Sequence, residues 1–342
     1  MTNDGTTTAE GVTFRPATDA DWPAIADVLN AARRADGADE VRTPESLASE
    51  FAALVLRRDM VIAEHDGVAI GYAVGKVVER SGALVGELTG AVHPAWRRRG
   101  VGTALLHRTR DGAVAQMDGD PRPLPRELRS YALDVETGII AMLDAEGFVP
   151  IRFGFEMRRA LTGALPEHPL PSGLELRPVA EADYRAIWEA NEEAFLDHWG
   201  HRPATEEDFR EMCYGPEMTP SLWCVAWDGH QVAGVVMNAI FRDENEQLGI
   251  ARGWFERVSV RRAWRGRGLA KALCAASFRV LRDQGMTEAW LGVDGSNPTG
   301  AMRLYEGLGF TVARGWKAYG RPVDEPASPG WQSGGDRATM EP

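Results

Sequence analysis

Three residues in the second half of the chain could act on reacting groups: Glu256 and Tyr305 by moving protons, and Asn297 by hydrogen bonding. A tyrosine phenol, with an ordinary pKa near ~10, is protonated at neutral pH and can donate. Asn297 offers a donor and an acceptor, and the Glu256 carboxylate could take a proton from an ammonium. Each also has a plainer explanation. Tyr305 fits a helix-face aromatic touching Leu304 and Leu308. Asn297 fits an N-cap for a helix opening at Pro298, and Glu256 fits an exposed strand carboxylate paired with Arg252 or Arg257. By alternation, Glu256, Val258 and Val260 share one face of a strand.

An anion-binding corner follows that strand. Val258-Ser259-Val260-Arg261-Arg262-Ala263-Trp264-Arg265-Gly266-Arg267-Gly268-Leu269-Ala270 runs into the alanine-rich Lys271-Ala272-Leu273-Cys274 and reads as strand, glycine-rich turn and helix. The first amides of a helix lack intrahelical partners and sit at its positive end, so glycines there let a pyrophosphate approach the backbone. The pattern occurs twice. His93-Pro94-Ala95-Trp96-Arg97-Arg98-Arg99-Gly100-Val101-Gly102-Thr103, after a strand ending at Val92, lines up with Arg261 to Lys271, tryptophan on tryptophan and glycine on glycine.

The elements that must position these residues also repeat. Val12–Pro16 reads as a strand. Asp19-Ala20-Asp21-Trp22 opens a helix with Trp22, Ile25, Val28 and Leu29 on one face, and a second helix is expected over 44–56. Strands follow at 60–64, 68–78 and 83–92, the first two joined by a His65-Asp66-Gly67 turn, then the loop and a helix to about Met117. A strand at 131–135, a helix at 137–145 and closing strands at 148–159 complete the first half. The order restarts at Leu174-Glu175-Leu176-Arg177-Pro178. It continues with a helix near Ile187, Trp188 and Phe195, a cap at Thr205 and strands at 222–227, 232–241, 252–260 and 288–293. A helix at 298–308 and closing strands at 310–319 end it. This divides the chain into a disordered lead over 1–11, a first domain over 12–162, a proline-rich linker over 163–173, a second domain over 174–322 and a loose tail over 323–342.

A chain of 342 residues, 44% hydrophobic, can bury two domain-sized cores. A net charge of −12 argues against nucleic acid as the main partner and suits a cationic amine. Three cysteines without CxxC spacing, no H-E-x-x-H motif and no G-x-S-x-G motif argue against metal or hydrolase chemistry. Apolar runs fall short of the ~18 residues of a membrane span, and the polar start lacks a signal peptide, so a cytoplasmic protein is expected.

Arg265-x-x-Gly268-x-Ala270 in its strand–turn–helix setting, with Asn297 and the helix ending Leu304-Tyr305-x-x-Leu308-Gly309-Phe310, resembles the GNAT superfamily of N-acetyltransferases. The resemblance covers both halves and implies an α/β fold with mixed sheets, built as two tandem GNAT domains. It implies acetyl-CoA as cofactor, held by Val258, Val260 and Arg265 to Lys271 with Asn297 and Tyr305. The copied positions Val92 and Arg97 to Thr103 would serve in the first domain. It further implies Tyr305 as general acid for the coenzyme A sulfur, Asn297 as a cofactor-positioning residue, Glu256 as a base, and the Asp197 to Pro203 loop as an acceptor contact. The first half departs from the pattern: Leu143 falls at the Tyr305 position, Val135 at that of Asn297 and Leu88 at that of Glu256. Catalysis is therefore expected in the second domain, on a small-molecule primary amine. The two-copy architecture resembles mycothiol synthases, which implies a cysteinyl pseudo-disaccharide amine as one acceptor. A non-catalytic acyl-CoA-binding protein is the alternative of a different class.

Overall fold

The computed structural model describes residues 10–196, 204–215, 218–295 and 300–324. It separates into two compact units, Met1–Arg152 with Trp316–Pro342, and Phe153–Gly315. No helix among the described residues is long and apolar enough to cross a membrane.

Unit 1 begins with β1 (Val12–Pro16), α1 (Trp22–Asp36), α2 (Pro44–Glu50), α3 (Leu56–Asp59), β2 (Met60–His65), β3 (Val68–Arg80) and β4 (Ala83–Val92). It continues with α4 (Val101–Asp118), β5 (Arg126–Leu133), α5 (Thr137–Ala145) and the start of β6 (Val149–Ala160). Apolar residues at helical spacing drive α1 against the sheet: Trp22, Ile25 and Val28 pack with Met60, Ile62, Tyr72 and Val74. On the other face Val101 and Leu105 of α4 meet Ala63, Ile70 and Ala73. The β2–β3 turn places Asp66 and Gly67 at positive φ, as a two-residue hairpin requires. Strands β1 to β4 pair antiparallel in sequence, and β5 joins β4 in parallel after the α4 crossover.

Unit 2 repeats the plan. It holds β7 (Glu175–Arg177), α6 (Tyr184–Phe195), α7 (Glu206–Tyr214), β8 (Cys224–Asp228), β9 (Gln231–Ala239), α8 (Arg242–Leu248) and β10 (Arg252–Val260). Then come α9 (Leu269–Asp283), β11 (Glu288–Asp294), α10 (Ala301–Gly307) and the start of β12 (Thr311–Pro322). α9 and α10 share a core with β9, β10 and β11 in which Phe255, Leu273, Phe278, Leu291 and Phe310 are buried. Ile187 of α6 and Cys213 of α7 lie in a second cluster with Val225, Val235 and Met237. Thr205 caps α7, accepting a hydrogen bond from the Asp208 amide.

The contiguous domains expected at 12–162 and 174–322 do not coincide with these units. The two closing strands are exchanged. Residues 154–160 of β6, from the first half, pair antiparallel with β11, while residues 316–322 of β12, from the second half, pair antiparallel with β5. Residues 163–173 are irregular and anchored: Leu165 and Leu170 pack on the unit 2 core, and just before them the Leu161 amide donates to the Thr287 carbonyl at 2.7 Å. The helix expected over 44–56 stops at Glu50, and the strand expected at 131–135 starts earlier, at Arg126. α8 was not foreseen, although Asp243 and Glu244 in its first turn and Gly249 in the left-handed region just beyond it are ordinary helix signals. The lead over 1–9, the Asp197 to Pro203 loop and the tail from 325 lie outside the described residues.

Candidate active site

The site in unit 2 is a gap between two strands that lies beside a glycine turn. β10 and β11 pair in parallel from Arg252↔Glu288 to Phe255↔Leu291, where the ladder ends, while β10 runs on to Val260 beside β9. The Arg261 amide donates to Ala233 of β9 at 3.1 Å. Backbone groups alternate along a strand, so the Val258 and Val260 amides point away from β9, toward the side on which β11 has departed. Two expected cofactor contacts thus direct main-chain donors toward the gap.

The parity expected of Glu256 does not hold. The β9–β10 register shifts between Phe255 and Arg257, which makes Glu256 the extra residue of a β-bulge. An inserted residue resets the alternation: Phe255, Val258 and Val260 all pack into the α9-side core, whereas the Arg257 guanidinium lies 5.1 Å from the centre of the Phe195 ring on α6. Glu256 is exposed at the bulge, next to the last rung shared with β11.

Beyond Val260 the chain turns through Arg262–Trp264 into α9, whose N-cap is Gly268. Gly266 and Gly268 have φ of +74° and +84°, a region costly for residues with a Cβ, and a Cβ at either would meet nothing within 4 Å. The turn is held by its side chains. Trp264 is buried and donates from Nε1 to Asp228 at 3.0 Å, and Arg261 binds Glu193 of α6 at 2.8 Å. Arg265, expected at the cofactor, directs Nε to the Val260 carbonyl at 3.0 Å and a terminal nitrogen to the Ala194 carbonyl at 3.2 Å. Leu269 is interior, Ala270 half-buried, and Arg267 and Lys271 exposed at the start of α9. The open cradle, the amides at the head of α9 and the exposed cations beside them suit a pyrophosphate.

Tyr305 lies on α10 within the shared core, 7% exposed, its ring edge-on to Phe310 at 5.8 Å. Burial raises its pKa well above the ordinary tyrosine value, with the nearby Cys274 thiol adding to the shift, so the phenol keeps its proton at neutral pH. α10 opens at Ala301 with Gly300 as N-cap. Asn297, for which both an N-cap role and a cofactor role were considered, lies outside the described residues.

Unit 1 keeps the turn and the parting strands, with other residues at the places of Glu256, Asn297 and Tyr305. Arg98 and Gly100 stand where Gly266 and Gly268 stand, and both have positive φ, +60° and +76°. Arg97 bonds the Val92 carbonyl at 3.3 Å and the Ala32 carbonyl at 3.2 Å, and clasps Asp36 at 2.6 and 2.8 Å. Arg99 stacks over Trp96 at 4.9 Å, Val101 is interior, and Gly102 and Thr103 are half-buried in the first turn of α4. Leu143 and Leu88 are buried in the core, and Val135 is exposed.

Parallel strands that part beside a glycine turn, once in each unit, are the fold of an acyl-CoA transferase. Residues 184–310 match the Acetyltransferase (GNAT) family, and residues 57–130 match an Acetyltransferase (GNAT) domain. The chain belongs to the GNAT family and is an acyl-CoA-dependent acetyltransferase with two GNAT domains in tandem. More narrowly, it is similar to the mycothiol acetyltransferase of Salinispora arenicola, with 34% identity over 311 residues, 87% of this chain and 92% of that one. The mycothiol acetyltransferase of Geodermatophilus obscurus is 31% identical over 84% of this chain and 90% of its own length. Among solved structures, a GCN5-related N-acetyltransferase from Sphaerobacter thermophilus matches with a TM-score of 0.72 at 29% identity, over 96% of this chain and 99% of that one. A tandem GNAT protein from the clavulanic acid biosynthesis pathway shares the fold, with a TM-score of 0.65 at 18% identity, over 93% of this chain and all of that one.

Proposed function

We propose that unit 2 transfers the acetyl group of acetyl-CoA to a small-molecule primary amine, and that the acceptor is the cysteinyl amine of the pseudo-disaccharide precursor of mycothiol. The parting of β10 from β11 beside the Gly266–Gly268 turn carries the proposal, because it puts main-chain donors along one continuous path. The similarity to mycothiol acetyltransferases over most of the chain supports the choice of acceptor.

Bound acetyl-CoA supplies an activated acyl carbon with a thiolate as leaving group. The amides at the head of α9, with Arg267 and Lys271, hold the pyrophosphate, and the Val258 and Val260 amides hold the pantetheine arm. Arg265 acts one step back, fixing the strand end and the last turn of α6 that border the gap. Glu256 at the bulge takes one proton of the incoming ammonium, and the freed amine attacks the thioester carbonyl. As the C–S bond breaks, Tyr305 gives its proton to the sulfur and regains one from the acylated nitrogen, leaving a neutral amide. A buried phenol suits that role because it stays protonated until a stronger base forms beside it. Asn297 positions the cofactor. Unit 1 contributes little chemistry, since Leu88 and Leu143 occupy the places of the base and the acid.

The test is incubation of the purified chain with acetyl-CoA and the cysteinyl pseudo-disaccharide, followed by mass spectrometry. A product heavier by one acetyl group on nitrogen is expected. Acetyl-CoA turnover with other amines and none with this one would reject the acceptor, and Tyr305→Phe turning over at the wild-type rate would reject the assigned acid.

A further inference from the structure

Gly292 lies inside β11, where a glycine weakens a strand and demands a reason. Two usual reasons do not apply: its φ is not positive, and a Cβ built on it would meet nothing within 4 Å. Neither backbone conformation nor crowding requires glycine here. What the residue leaves is space.

The neighbours locate that space. Ala289, Leu291 and Val293 point into the α9-side core, so Gly292 and Trp290 lie on the opposite face. At Trp290 this face is closed, with the Arg252 guanidinium 3.9 Å and that of Arg314 5.9 Å from its ring centre. At Gly292 it is exposed. Across β6 the partner of Gly292 is Glu156, bonded to Arg314 at 2.7 Å. On its other side β11 has just left β10, since Phe255↔Leu291 is the last rung, and Glu256 and Gly292 are the next residue on each strand.

Unit 1 shows the same rung shut. Aligning Arg97 with Arg265 puts Leu88 at the place of Glu256, and aligning Gly147-Phe148 with Gly309-Phe310 puts Ser130 at the place of Gly292. Leu88 and Ser130 are paired and buried. The bulge at Glu256 opens unit 2 one rung sooner, and the glycine keeps the opening clear.

We infer that Gly292 is the specificity-determining residue of the acceptor entrance. Its missing side chain admits a substituted amine to the mouth of the gap beside Glu256, with Glu156 on the far wall. This rests on the reading of unit 2 as the catalytic unit.

Gly292→Val tests it without threatening the fold, because valine favours strands and the position is open. Acetyl-CoA affinity by calorimetry is expected to stay within about twofold, while kcat/KM for the cysteinyl pseudo-disaccharide falls at least about tenfold, with Gly292→Ala in between. A kcat/KM within about twofold of wild type would overturn the inference. A readout independent of the acceptor uses Gly292→Cys. The three native thiols are buried, so a methanethiosulfonate reagent labels the introduced thiol first, and saturating acetyl-CoA should slow that labelling at least about fivefold. If wild type does not acetylate the pseudo-disaccharide, the acceptor proposed above fails. Protection of the introduced thiol then still supports Gly292 as the entrance, and unprotected labelling overturns it.

Discussion

Arg97 and Arg265 make the same bond in the two units: each donates Nε to the carbonyl of the valine that ends the preceding strand, Val92 at 3.3 Å and Val260 at 3.0 Å. Each also reaches a carbonyl in the final turns of the first long helix of its unit, Ala32 or Ala194. These guanidiniums pin helix to strand beside the gap. Arg97→Ala is therefore expected to destabilise unit 1 by about 1–2 kcal/mol, since it removes the clasp on Asp36 as well as two carbonyl contacts on a partly exposed surface. Chemical denaturation measures this. An unchanged midpoint would show that the arginine does not support the fold.

Arg98 supplies a second test of the shared turn, because it holds at φ +60° a position that unit 2 gives to Gly266. Arg98→Gly should stabilise the chain by about 0.5–1 kcal/mol through release of left-handed strain, offset in part by the greater freedom of glycine in the unfolded chain. A loss of stability in thermal unfolding would contradict the assigned turn conformation.

The buried phenols of Tyr72 and Tyr305 both have pKa values raised by desolvation. A raised folded-state value means that the stabilisation is complete below the unfolded pKa near ~10 and is lost as pH rises beyond it, when the unfolded chain releases protons that the folded chain retains. Stability should thus fall above pH ~10, and less steeply in Tyr305→Phe. In the same variant turnover should drop about a hundredfold with acetyl-CoA affinity kept. An equal loss of affinity and turnover would make Tyr305 a binding residue.

Asp21 behaves oppositely. Hydrogen bonds from Arg15 at 2.6 and 2.9 Å, aided by the Thr18 amide, outweigh desolvation and lower its pKa to about 2. Its contribution is present above the unfolded value near ~3.9 and disappears as pH falls through the folded one. Asp21→Asn should cost about 1–2 kcal/mol at pH 7 and flatten the acid limb of stability between pH ~4 and ~2. An acid limb identical to wild type would refute this.

Local chemistry made much of this legible beforehand. β4 and β10 begin and end where alternation and the flanking turn residues put them, and the paired glycine turns announced the duplication. What escaped was pairing at a distance. β6 and β12 are strands of the same length that both mix apolar and charged residues, and nothing in either period says which unit will take it. The bulge at Glu256 was equally silent, since no glycine or proline marks it, and it undid the parity argument for that residue. Arg265 was placed at the cofactor by the resemblance of its turn, and sequence alone did not show that its guanidinium also bonds the Val260 and Ala194 carbonyls. Gly292 passed unnoticed because its meaning depends on empty space above it.

Matched substitutions in the two turns test the division of labour most directly. Gly100→Val and Gly268→Val each force a β-branched residue into the left-handed region at a comparable cost to folding, about 1–2 kcal/mol. Measured as the rate of acetylation of the cysteinyl pseudo-disaccharide, Gly268→Val is expected to lose at least about a hundredfold and Gly100→Val to keep most of the activity. The reverse order, with Gly100→Val inactive and Gly268→Val competent, would move catalysis to unit 1 and contradict the account.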